Sequence, residues 1–206
     1  MKKNLEILLA ALFAFGCVAL GGCAVYKAPP QAMFDFGPLP AAAAASGLDG
    51  LRPIGVAEPS VPPWLDSHEM YYRLNYANDL QLHPYANSRW SMPPIQLFEQ
   101  RLKLRIAQAG GQVLSASESA SNVPLVLHIE ADDFTQTFDS PAHSGGQVAL
   151  RASVFSGRGL LAQKSFSRQA DAPSADAGGG AKALAIASDA VIAEILQWLT
   201  ELPPKQ

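Results

Sequence analysis

Cysteine is scarce in this sequence: the 206 residues hold two, Cys17 and Cys23, and none follows. Most of the chain therefore has no disulfide framework and no cysteine-based metal site open to it. Clustered positive charge is missing too. Fifteen Lys and Arg against 18 Asp and Glu leave a formal charge of −3, and no Lys/Arg-rich run occurs, so nothing holds a polyanion and nucleic acid is not an expected partner. Patterns that carry chemistry are equally thin. The four histidines, His68, His83, His128 and His143, fall into no helical His-x3-His or HExxH spacing. His128 sits in an alternating strand pattern, where a solvated histidine is the plainer reading. Asp132 and Asp133, adjacent on the same strand, would point to opposite faces and cannot readily share a proton. Ser156-Gly157-Arg158-Gly159 is not Gly-x-Ser-x-Gly, and Gly178-Gly179-Gly180 lacks the Lys and Ser/Thr of a phosphate loop. The expectation is no catalytic residue and no metal site. What remains is a chain with 49% apolar and 16% charged residues, enough for a core despite 16 Gly and 16 Pro, and long enough for one ordinary domain with appendages.

The N-terminus is informative. Lys2 and Lys3 precede an uncharged apolar stretch from Ile7 to Leu20, the length of a signal-peptide hydrophobic region and short of the roughly 20 residues a spanning helix needs. Leu20-Gly21-Gly22-Cys23 resembles the bacterial lipobox: an aliphatic residue, two small residues, then the cysteine that is lipidated and becomes the first residue after cleavage. The resemblance implies a signal peptide over residues 1–22, cleavage between Gly22 and Cys23, and an N-acyl, S-diacylglyceryl Cys23 with no other cofactor. At about 0.8 kcal/mol per buried methylene, several acyl chains hold a protein to a bilayer without spanning it. Ala24 stands where inner-membrane lipoproteins of many Gram-negative bacteria carry Asp, so the same resemblance implies the periplasmic side of the outer membrane.

Residues 23–50 read as a lipidated N-terminus and flexible tether, with Ala28-Pro29-Pro30, Pro38-Leu39-Pro40 and the run Ala41 to Ala45. Only Met33-Phe34-Asp35-Phe36 has the mixed character of a short strand. A domain is expected over residues 51–202. Leu51, Ile54 and Val56 suggest a strand, and Met70, Tyr72, Leu74 and Tyr76 alternate as a half-buried one. Leu80-Gln81-Leu82 could pair back through a turn at Asn78-Asp79. Pro93-Pro94 opens a helix, with Ser91 as a nearby cap, whose stripe is Ile95, Phe98, Leu102, Ile106 and Ala109; Gln100, Arg101, Lys103, Arg105 and Gln108 lie largely opposite, and Gly110-Gly111 stops it. After a short strand at Val113-Leu114, three longer strands follow. One carries Val123, Leu125, Leu127 and Ile129 and ends at Asp132-Asp133; the other two flank the turn Ser156 to Gly159. A flexible loop from Asp171 to Gly180 leads to a long amphipathic helix with Leu184, Ser188, Val191, Ile195 and Leu199 on one stripe, ended by Pro203-Pro204. Runs of strands separated by single helices predict an α+β two-layer sandwich, a mostly antiparallel sheet with two amphipathic helices packed on one face.

The most singular stretch is 61–94: Pro63-Trp64-Leu65-Asp66, Met70-Tyr71-Tyr72-Arg73 and Ser88-Arg89-Trp90-Ser91-Met92-Pro93-Pro94. These aromatics and arginines serve equally as core filling or as protein contacts. At these residues, behind a lipobox, the chain resembles the ABC-type transport auxiliary lipoprotein family, the group that includes paraquat-inducible protein C, from residue 34 to about 200. It departs from many relatives at Ser91-Met92 and in its His83-Pro84 loop.

The resemblance implies a non-catalytic outer-membrane lipoprotein that works with an ABC permease and ATPase and with a periplasmic protein carrying the mammalian-cell-entry (MCE) domain, moving lipids or other hydrophobic compounds across the envelope. It implies action by docking, with a face around Trp64, Tyr71, Arg89 and Trp90, and leaves room for a homo-oligomer. Other readings stay open: an assembly factor resembling the small lipoprotein of lipopolysaccharide export, a lipid carrier with its own apolar cavity, and an envelope hydrolase built on His68 or His128.

Overall fold

The computed structural model describes residues 30–39, 53–114 and 125–202. The export signal, Cys23, most of the tether and Pro203-Pro204 lie outside them. The chain divides into two compact units, Met1–Pro30 and Gln31–Gln206; of the first, only Pro30 is described.

The second unit runs β1 (Ala32–Phe34), β2 (Ile54–Val56), β3 (Glu69–Leu74), β4 (Asn78–Trp90), α1 (Pro94–Gln108), β5 (Val113–Leu114), β6 (Leu125–Ser140), β7 (His143–Ser156), β8 (Gly159–Asp171) and α2 (Ala177–Thr200). Met33 and Phe34 of the mixed stretch do enter the sheet, in β1, so the folded part starts ahead of residue 51.

The eight strands form one curled, mixed sheet, a half-barrel. This overturns the expected mostly antiparallel two-layer sandwich. Four of the pairings are parallel: β1 with β4, β2 with β5, β2 with β6 and β3 with β6. β6 is the spine. One edge pairs along its whole length with β7. Its other edge is shared, β2 taking Leu125 to Leu127 and β3 taking Gln136 to Phe138. Between them Ala57 and Ser60 N–H donate to the Leu127 and Ile129 carbonyls at 2.9 and 2.8 Å. The β6–β7 register slips between Ala131 and Asp133, and such a bulge bends a strand. β6 runs on through the bulge, past Asp132-Asp133 where the sequence reading ends it.

Alternation is clean in the first half of β6, where Leu125, Leu127, Ile129 and Ala131 are buried, and across β7 at Val148, Leu150, Ala152 and Val154. These meet α2, which packs on β6, β7 and β8 through Leu184, Val191, Ile195 and Leu199, and meets α1. The stripe Ile95, Phe98, Leu102 and Ile106 of α1 joins the same core. By length and apolarity α2 could cross a membrane, but most of that window is buried inside the fold, as expected of a core helix.

Local corrections follow from the geometry. α1 is preceded by Pro93, with no side-chain cap from Ser91. The β3–β4 turn is at residues 75–77, and β4 is 13 residues long instead of three. Gly178 to Gly180 belong to α2, whose N-cap is Asp176. Arg101, assigned to the solvent side of α1, is buried.

Candidate functional site

Of the four residues expected on a docking face, three come together. The loop before β3 turns where Leu65 N–H donates to Pro62 O at 2.9 Å, with Leu65 sunk in the core. That leaves the Trp64 ring half-buried, edge-on to Tyr71 at 5.5 Å between centroids. Glu69 and Tyr71 share a face of β3, two residues apart. The Tyr71 hydroxyl donates to Glu69 Oε2 at 2.6 Å, and Arg89, directly opposite Glu69 on β4, donates Nη1 to Oε1 at 3.3 Å. Glu69, absent from the sequence expectation, is the hub. The signal for it was available in the alternation of β3, which puts Glu69 beside Tyr71.

Trp90 does not belong to this face. It is 2% exposed and packs against Phe36 and Phe134 at 5.8 and 6.1 Å. The reason is strand alternation: Arg89 points outward, so its neighbour points into the core. The expected strand stops at Leu82 and His83-Pro84 reads as a loop, which hides that alternation.

The carboxyl of Glu69 is held below its ordinary value of 4.5, first by the Tyr71 hydroxyl and then by Arg89, while hydrogen bonding to Glu69 raises Tyr71. A carboxylate with a depressed folded pKa contributes stability that is fully present above the unfolded value and lost as pH falls through the folded one. Carbon-detected NMR of the Glu69 carboxyl should therefore show titration below 4.5, with loosening of the Trp64–Tyr71 contact over the same range. A midpoint at or above 4.5 would contradict the network.

The histidines serve elsewhere. His68 Nδ1 donates to the Trp90 carbonyl at 3.1 Å, His83 stacks on Tyr72, His128 meets Phe155 edge-on, and His143 lies 3.6 Å from Asp139. Asp133, raised chiefly by burial, accepts from Thr135 Oγ1 at 2.9 Å. Among the described residues no three His, Cys, Asp or Glu side chains gather as a metal-binding group.

A second feature is an open groove of about 790 Å³ between β1 with its following turn and the first half of α2, lined in part by Met33, Phe34, Lys182, Ala185 and Ile186. Beneath α2's first turn, Tyr85 OH donates to Gln136 Oε1 at 2.8 Å, and Gln136 Nε2 donates to Ser144 Oγ and the Asp176 carbonyl at 2.8 and 3.1 Å. Burial raises the Tyr85 hydroxyl.

Residues 34–196, which hold α1, most of α2, most of the sheet and the Glu69 cluster, match the family model for the ABC-type transport auxiliary lipoprotein component. The chain belongs to this family. The family is one of transport auxiliary lipoproteins and not a known enzyme family, and membership implies an envelope protein held at a membrane and associated with an ABC transport system. The fold is shared with a protein from Xanthomonas campestris (TM-score 0.64, 19% identity, covering 71% of this chain and 82% of that one) and with an uncharacterized protein (TM-score 0.65, 16% identity, 83% and 99%). At these identities the likeness concerns fold alone. No match was found among curated proteins.

Proposed function

We propose that this auxiliary lipoprotein is a docking component. Acylated at Cys23 and held at the periplasmic side of the outer membrane, it engages an MCE-domain protein whose ABC permease and ATPase drive movement of lipids or other hydrophobic compounds, and it performs no catalysis itself. The observation that carries the reading is the Trp64–Glu69–Tyr71–Arg89 cluster: half-buried aromatics and an arginine, fixed in place by a carboxylate, as at energetically important protein contacts. Tagged, acylated protein should recover an MCE-domain protein from solubilised envelopes. Arg89→Ala should lower that recovery roughly tenfold, about 1.4 kcal/mol of affinity, with only a small shift of the melting midpoint, as for a half-exposed ion pair. Undiminished recovery by Arg89→Ala would remove the cluster from the interface, and no MCE protein with the parent would remove the partner.

The groove beside β1 favours a second reading, a lipid carrier in its own right. Lipid co-purifying with the parent and lost in Ile186→Glu would support it.

A further inference from the structure

Leu80, just past the β3–β4 turn, is 87% exposed, more than any other large apolar side chain among the described residues, and Tyr76, within the turn, is 48% exposed. The turn that displays them is well tied. Ala77 N–H donates to Leu74 O at 2.9 Å, Tyr76 N–H to Phe138 O at 3.4 Å, Arg73 Nη1 to Asp79 O at 3.2 Å and Leu80 N–H to Asn78 Oδ1 at 3.1 Å. The apolar groups are thus presented on a fixed frame.

Strand direction says what this frame faces. β1 runs parallel to β4, with Ala32 opposite Ser88 and Phe34 opposite Trp90. The N-terminal end of β1 is therefore the end nearer the β3–β4 turn. Met33 stands level with Arg89 and hence with Glu69, and the climb along β3 from Glu69 to Leu74 is about 17 Å at the usual rise. From Cys23 to Met33 the chain can reach at most about 35 Å. The reach exceeds the overhang, so a bilayer holding Cys23 lies within range of the turn.

We infer that the β3–β4 turn is a second membrane contact, with Leu80 and Tyr76 entering the interface of the bilayer that holds the acyl groups of Cys23. The inference rests on the lipid-anchor reading. Tyrosine suits an interface, being apolar in the ring and polar at the tip. The same end of the sheet carries the β6–β7 turn and the last residue of β8. Charged groups there include Arg73, Asp79, Asp139 and Asp171, with His143 lying 3.6 and 3.9 Å from the latter two carboxylates. That surplus of carboxylates gives no attraction to anionic lipid. The contact is apolar, fits a zwitterionic surface, and persists at high salt. Such a second contact sets the tilt of the domain, standing the Glu69 cluster about 17 Å above the bilayer, one β3 length.

The test uses full-length acylated protein in phosphatidylcholine vesicles whose acyl chains carry bromine, which quenches nearby tryptophan. Leu80→Trp and Leu160→Trp, the latter at the far β7–β8 turn, are each read as the difference from the parent with its three tryptophans. Mass spectrometry of the N-terminus and vesicle flotation report the anchor separately. The expected result is acylated, floating protein with the tryptophan at position 80 quenched and blue-shifted, unchanged by high salt, and the one at 160 unquenched. Floating protein in which position 80 is unquenched overturns the inference while leaving the anchor intact, and frees the turn for a protein partner. Equal quenching at both positions also overturns it. Unacylated protein that fails to float removes the anchor reading and this inference together.

Discussion

Arg101→Met should destabilise the fold by about 3 kcal/mol, since removing the buried partner of a charge pair leaves Asp189 with only the weaker contact to Arg105. The Arg101 side chain is 7% exposed and that of Asp189 is 24% exposed. The guanidinium grips both Asp189 oxygens, Nε to Oδ1 at 2.8 Å and Nη2 to Oδ2 at 2.7 Å, joining α1 to α2. Arg105 adds a weaker contact to Oδ1 at 3.5 Å. The remaining nitrogen, Nη1, donates to the Phe36 and Gly37 carbonyls at 3.1 Å each, so one side chain also holds the turn after β1 and, through it, the Phe36 ring stacked on Phe134. Two readouts separate these roles. Denaturant unfolding should show the full loss, and hydrogen exchange should show Ala32 to Gly37 opening ahead of the rest. Asp189→Leu combined with Arg101→Met should recover much of the stability, because two apolar groups leave no stranded charge, yet the early opening of β1 should remain. A single variant with an unaltered unfolding midpoint would mean the pair contributes nothing.

Gly146→Ala should cost about 3 kcal/mol, at the upper end for one added methyl in a packed site. A β-carbon there would lie 2.5 Å from Leu184 N and 2.7 Å from Ala183 C. Both are backbone atoms of α2, so no side-chain rotation relieves the clash and the helix must lift from β7. Gly146 sits opposite Gln136 in the β6–β7 ladder, and lifting α2 would also pull the Asp176 carbonyl from Gln136. Gly159→Ala is the comparison. Its nearest neighbour would be Ser156 O at 3.8 Å, and the substitution should shift the midpoint little. Similar losses for both variants would show that the close approach of α2 is not what position 146 provides.

Both predictions concern residues whose importance the sequence does not display. Arg101 sits among Gln100, Lys103 and Arg105, and a helical wheel places the group outside; only the arrival of α2 and the β1 turn against that side of α1 covers it. Gly146 is one of two adjacent glycines in a strand pattern, and nothing nearby says that a helix encoded some 40 residues later will rest on it. The Glu69 cluster was partly legible. Tyr71 and Arg89 stand out by composition, but their meeting depends on a β3–β4 register with two shifts, and Pro84 hides the strand that carries Arg89.

What the sequence determined is what one segment can decide alone: α1 between Pro93-Pro94 and Gly110-Gly111, the stripe of α2, the β7–β8 hairpin and the alternation of the first half of β6. Periodicity records which face of an element is apolar, and that is a local property. The tertiary structure decided which edges meet. The parallel pairings of β2 and β3 with β6 join segments about 60 to 70 residues apart, and neither strand's pattern names its neighbour. Packing around one core selects these pairings by the surface they bury together, and it also put Trp90 inside, Arg101 under cover and the sheet into a curl.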